Sequence, residues 1–329
     1  MFKNVLVGID LSQSGPSGPS DLGAPVQEAV RQAVVLAEKA SARLTFFAAV
    51  EVPEQIRYLD LLTNEPLDLK QSLTDQANAV LARLVRDCEA KGITAAARMG
   101  YGIGWEEIIV AVLREEHDLV VVGTRDPAGI ERFLFGSTAQ KLLRNCPCPV
   151  WVTKPGPLPQ TPRIVVASDL SSVSDLALQM AAAVAIIWNA NIHLVHACDY
   201  PLDRVWIGSV NDENTKQYHA QVRGDAERAL AEQIARLSGT AATITPVVID
   251  AQRGADLAIL KYLEKHSVDL LVMGTAARSG IPGMLVGNTA ERLLQEVSCS
   301  MLAVKPSDFQ CPVTLGNESQ RRRAQGPYL

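Results

Sequence analysis

The segment Asp118 to Pro155, DLVVVGTRDPAGIERFLFGSTAQKLLRNCPCPVWVTKP, aligns without a gap on Asp269 to Pro306, DLLVMGTAARSGIPGMLVGNTAERLLQEVSCSMLAVKP, and sixteen of the thirty-eight positions are identical. Upstream, NVLVGIDLS at Asn4 to Ser12 matches RIVVASDLS at Arg163 to Ser171. Two independent solutions of one packing problem do not share this many residues, so the chain carries one unit twice. Its length of 329 residues agrees, because a single hydrophobic core seldom organises so long a chain.

Within each half, short β-branched runs alternate with longer amphipathic ones, the pattern of βαβ units with a parallel sheet covered on both faces. In the first half the pattern predicts strands at Asn4 to Asp10, Arg43 to Val50, Thr94 to Met99, Asp118 to Thr124 and Pro149 to Thr153. The intervening helices fall near Val26 to Ala42, Leu67 to Lys91, Trp105 to Glu116 and Ser137 to Asn145. In the second half strands are expected at Arg163 to Asp169, Asn191 to Ala197, Thr243 to Val248, Asp269 to Thr275 and Ser300 to Lys305, with helices near Val173 to Asn189, Glu213 to Ser238, Ala255 to His266 and Thr289 to Val297. The fold class is therefore α/β, with two tandem five-stranded parallel-sheet domains at 1–156 and 157–309 and a tail at 310–329. Between them KPGPLPQTP, Lys154 to Pro162, carries four prolines and suits a short stiff spacer.

Composition excludes some function classes. A formal net charge of −5 and a pI near 5.6 give the chain no electrostatic reason to hold nucleic acid or anionic lipid. The best apolar run, Ala181 to Ile187 with Met180 and Trp188 at its ends, is far short of the roughly 18 residues a membrane span needs. The amino end, MFKNVLVGID, reads as a buried strand rather than a secretory leader. None of the six cysteines forms a CxxC pair, which fits a reducing compartment, and a cytoplasmic location is expected. The RRR run at Arg321 to Arg323 reads as a solvated end.

The repeated segment places a Gly at the end of a strand, another Gly thirteen residues on, and then Ser-Thr or Asn-Thr opening a helix. Each feature has a use at a phosphate site. A strand-end Gly lets a ligand approach the backbone, and a helix amino terminus offers unpaired N–H groups and the positive end of the dipole. Ser137 or Asn288 is also expected to cap its helix. In an open parallel sheet this crevice, at the carboxyl ends of the strands, is where ligands bind. The same pattern also describes a strand, a turn and a capped helix with no ligand, and the residues alone do not choose between the two.

On these motifs the chain resembles the universal stress protein family from Asn4 to about Pro306. Nucleotide-binding members carry G-x2-G-x9-G-[S/T] after the fourth strand and an Asp closing the first. The pattern maps onto Gly123, Asp126, Gly136 and Ser137 with Asp10 in the first half, and onto Gly274, Ala277, Gly287 and Asn288 with Asp169 in the second. The tandem arrangement, the GNTAERLL helix and KPSDFQCPVTL after the last strand are similar to the two-domain, E-type subgroup. The resemblance implies a Rossmann-like, adenine nucleotide alpha hydrolase-like fold. It also implies an intrachain pseudo-dimer in which PVWVT and SMLAV pair antiparallel, with a further homodimer possible. Its ligand residues would be Asp169, Ala197, Gly274, Ala277, Gly287, Asn288 and Thr289, with a weaker set of Asp10, Gly123, Gly136 and Ser137.

Both halves depart from the nucleotide-binding pattern. Asp126 sets a carboxylate beside the expected phosphates, and two unit charges at ~4 Å repel by about 4 kcal/mol at an effective dielectric of 20. Ala277 adds one methyl group, and Asn288 changes the side chain offered. The expected function is a non-catalytic binder of ATP or another small ligand, mainly in the second half, with no cofactor required. A slow ATP-hydrolysing or nucleotidyl-transferring enzyme and a scaffold with vestigial pockets are the competing readings. Walker A, GxSxG and HExxH sequences do not occur.

Other residues invite chemistry and have plainer explanations. His193 and His196 stand three apart on one strand, so they face opposite ways and cannot share a metal. His117 and His266 end helices, where a cation suits the dipole. Cys146-Pro-Cys148-Pro feeds a strand as a turn with packed thiols, with redox function as the lesser alternative. Gly100, Gly102 and Gly104 follow the third strand in a GxGxG spacing that suits a loop rather than a dinucleotide fingerprint. The loop Ser12 to Pro25 is expected to lie over the first pocket.

Overall fold

Val5, Leu6 and Val7 are wholly buried, as a continuous apolar run requires when helices cover both faces of its sheet. In this computed structural model, residues 2–12, 22–50, 69–124, 135–204, 212–237, 239–275 and 288–315 are described. The chain divides into two units, Met1–Gly156 with Phe309–Leu329, and Pro157–Asp308.

The first unit runs β1 (Asn4–Gly8), α1 (Ala24–Ala40), β2 (Arg43–Val50), α2 (Leu69–Glu89), β3 (Ala95–Tyr101), α3 (Gly104–Glu115), β4 (Leu119–Gly123), α4 (Ser137–Asn145) and β5 (Val150–Thr153). Its strands lie in the order β3-β2-β1-β4-β5, and every pairing is parallel. The second unit repeats this with β6 (Arg163–Ala167), α5 (Ser172–Trp188), β7 (Asn191–Cys198), α6 (Asp212–Arg236), β8 (Ile244–Asp250), α7 (Ala255–His266), β9 (Leu270–Gly274), α8 (Asn288–Glu296) and β10 (Ser300–Val304). Its order is β8-β7-β6-β9-β10, again parallel throughout. The expected strands and helices are all present, with ends shifted by a residue or two. The outer strands β3 and β8 are the most exposed, and β8 carries Pro246, which an outer strand tolerates.

The Asp that precedes the fourth strand of each repeat has a structural task. Asp118 accepts from the backbone N–H groups of Lys3 (2.6 Å) and Asn4 (3.1 Å), locking the start of β1 to that of β4. Asp269 accepts from the Arg163 N–H at 2.8 Å and ties β6 to β9 in the same way.

Two sequence expectations are corrected. His117 follows the α3 carboxyl end but is buried at 4% exposure, and burial lowers its pKa. It is a neutral core residue rather than a cation on the dipole. His266 does end α7, yet its ring lies 4.2 Å from that of Tyr262, and burial followed by the nearby Arg163 charge lowers its pKa too. In the tail, Val313 is buried and Cys311 donates to the Asn145 carbonyl at 3.4 Å, so residues 309–315 pack on the first unit, while the Arg321 to Arg323 run lies outside the described residues.

Candidate functional site

The crevice of each unit is built at the carboxyl ends of its first and fourth strands. Asp10 closes β1, and its Oδ1 accepts from the Ser12 backbone N–H at 2.9 Å and the Ser12 hydroxyl at 2.6 Å. Asp169 repeats the turn after β6, accepting from the Ser171 N–H at 3.1 Å and from its hydroxyl. Side chains that bond the backbone two residues on hold such turns in place. Asp10 is exposed, whereas Asp169 is half-buried.

The second unit carries this turn further. Ser171 caps α5, its Oγ accepting from the Ser174 N–H at 3.4 Å, and Ser174 donates back to the Ser171 carbonyl at 2.7 Å. Beneath the turn, Ser168 Oγ donates to Gln233 Oε1 at 2.7 Å while Gln233 Nε2 donates to Ser174 Oγ at 3.1 Å. The Leu170 N–H donates to Ser168 Oγ at 3.0 Å, and His196 Nδ1 lies 2.9 Å from the Ser168 carbonyl. Ser168, Ser174 and Gln233 are all buried, so the network joins β6, α5 and α6 out of water, where hydrogen bonds define geometry most sharply. In the first unit α1 starts from Gly23 with no side-chain cap.

The strand-end glycines have an occupant from the protein itself. A Cβ on Gly123 would stand 2.4 Å from the Pro25 carbonyl oxygen, and one on Gly274 would stand 2.8 Å from Val173 Cγ1. Each glycine thus admits the first turn of the first helix of its unit, α1 or α5. The capping expectation for Ser137 is corrected. Gly136 is the cap residue of α4, at φ −60° and ψ 159°, without a side-chain bond, and Ser137 is the first helical residue with an exposed side chain. Asn288 is the first described residue of α8, followed by half-buried Thr289. Asp126, Ala277, Gly287 and Arg278, as well as most of the Ser12 to Pro25 loop, lie outside the described residues.

Sequence reasoning missed a cleft of about 340 Å³ beside Asp169, lined by Leu170, His196, Cys198, Asp199 and the α6 residues Val222 and Asp225. Side chains alternate along a strand, so His196 and Cys198 turn toward α6 while Ala197 turns to the opposite face. Burial raises the Cys198 thiol pKa and keeps it protonated at neutral pH. The alternation in HAC was readable, but nothing in the sequence placed α6 against it. His193 turns the other way, its Nδ1 2.7 Å from the Tyr262 hydroxyl on α7, so the two histidines do not converge. Among the described residues no cluster of three metal-ligating side chains occurs, and no helix is long and apolar enough to cross a membrane.

Comparison with known proteins agrees with this architecture. A profile of the universal stress protein family matches residues 1–154 and again 161–305. Universal stress protein E of Salmonella typhi is 26% identical over 97% of this chain and 99% of its own length. The Escherichia coli K12 protein of that name is 26% identical over 97% and 98%. In fold, the chain is similar to a universal stress protein from Archaeoglobus fulgidus, with TM-score 0.60, 19% identity and coverage of 92% and 98%. It is also similar to a functionally unknown protein of Pseudomonas aeruginosa PAO1, with TM-score 0.64, 20% identity and coverage of 93% and 94%.

Proposed function

Because the chain belongs to the universal stress protein family, with one such domain in each half, we propose that it is a non-catalytic stress-response protein that binds ATP or a related small ligand, chiefly in its second unit. The observation that carries this reading is the hold on Asp169. The Ser171 turn and cap, set on the buried Ser168, Ser174 and Gln233 network, fix the carboxylate at the crevice beside the cleft under α6. A site held before its ligand arrives loses less conformational entropy on binding. In the first unit Asp10 has the same turn but is exposed, and α1, which begins only at Ala24, has no side-chain cap.

The phosphates would meet the amino terminus of α8, around Asn288 and Thr289, where backbone N–H groups and the dipole favour an anion. Charge in the sequence points the same way, since Asp126 opposes phosphate in the first half and Ala277-Arg278 does not in the second. The protein requires no cofactor on this reading and works in the cytoplasm.

Calorimetric titration of ATP into the full-length chain tests it. Asp169→Ala should weaken binding at least tenfold, while Asp10→Ala should leave it nearly unchanged. The reverse order would move the site to the first unit, and steady release of ADP or a nucleotidylated product would remove the non-catalytic part.

A further inference from the structure

Three of the six cysteines gather at one place in the first unit. Cys146 and Cys148 flank Pro147 in the turn between α4 and β5, their sulfurs 3.6 Å apart and both buried. Cys311, from the segment that packs here after β10, has its sulfur 3.4 Å from the carbonyl oxygen of Asn145, the residue joined to Cys146. Cys311 is half-buried whereas the other five cysteines are buried, so the only thiol with partial access to solvent stands against the residue that precedes a buried pair.

We propose that Cys311 is a modification site for hydroperoxides, with Cys146 resolving its oxidation into a disulfide that fastens residues 309–315 to the turn before β5. In the first step the Cys311 thiolate attacks the peroxide. An S–O bond forms, the O–O bond breaks, and the leaving alkoxide or hydroxide takes up a proton. In the second step Cys146 sulfur attacks the Cys311 sulfenic acid. The S–S bond forms, the S–O bond breaks, and hydroxide leaves as water once protonated. Two thiols and one hydroperoxide thus give one disulfide, one alcohol or water, and a further water, the two electrons passing from sulfur to the peroxide.

The surroundings explain why the chain of exchange stops there. Cys148 could attack the new disulfide and displace Cys311, but it is buried, where forming the thiolate that must attack is unfavourable. Burial also raises the Cys311 pKa, so the first step quickens as pH rises.

Full-length protein treated with hydrogen peroxide, then alkylated, digested and mapped by mass spectrometry, tests the proposal. The Cys146–Cys311 peptide pair should pass from absent to the main oxidised species, faster at higher pH. Cys148→Ser should still form it. Cys311→Ser, checked for folding by circular dichroism, should leave Cys146 reduced. A Cys146–Cys148 disulfide, a Cys311 sulfinic acid beside reduced Cys146, or a disulfide between two chains through Cys311 would each overturn it.

Discussion

Arg292 Nη1 donates to Asp256 Oδ2 across 2.6 Å, joining α8 to the first turn of α7. At the equivalent positions of the first unit, 151 residues earlier in the chain, Lys141 on α4 lies 5.8 Å from the ring centre of Trp105 on α3. The two units brace the same pair of helices with different chemistry. Asp256 is buried, so removing Arg292 leaves a carboxylate without its partner in poor solvent, whereas removing Lys141 leaves an indole that needs none. Arg292→Ala should therefore lower the thermal midpoint of unfolding more than Lys141→Ala does, and differential scanning calorimetry reads the difference.

The strand-end glycines make a sharper test. In Gly123→Ala the new methyl meets the Pro25 carbonyl, which is backbone, while in Gly274→Ala it meets only the Val173 side chain. Overpacking costs about 1–3 kcal/mol, and Gly123→Ala should fall at the upper end of that range. Val173→Ala should recover much of the loss in Gly274→Ala, but Pro25→Ala should recover little in Gly123→Ala. Urea unfolding of the single and double variants measures both couplings.

The buried network under the Asp169 turn should be coupled in its own way. Ser168→Ala strips Gln233 Oε1 of its donor and should cost about 1–3 kcal/mol, the penalty for a buried polar atom left unsatisfied. Adding Gln233→Leu removes the orphaned amide, so the double variant should lose less than the sum of the singles. Chemical denaturation provides the cycle.

Acid should weaken the first unit through His117. Its folded pKa lies below the ordinary 6.5 because burial disfavours the charged ring. The unfolded chain thus takes up the proton first as pH falls. The stability is fully present above about pH 6.5 and is lost as pH drops through the lowered folded value. His117→Leu should flatten this part of the stability profile, read from urea midpoints between neutral and mildly acidic pH.

The repeat, the apolar runs and the turn residues were enough to place the strands and helices of both units, because a parallel sheet covered on both faces writes continuous apolar strands into the chain. The family was legible for the same reason, through Asp10 and Asp169, the strand-end glycines and the helix that follows them. The packing neighbours of those glycines were not legible. A glycine signals only that something comes close, and tertiary packing decided that Pro25 and Val173, remote in sequence, are what come close. Packing also turned His117 from an expected helix-end cation into a neutral core residue, since burial depends on which elements cover a position. The hold on Asp169 has the same origin. Ser168 and Gln233 are 65 residues apart, and only the docking of α6 against β6 brings their side chains within a hydrogen bond.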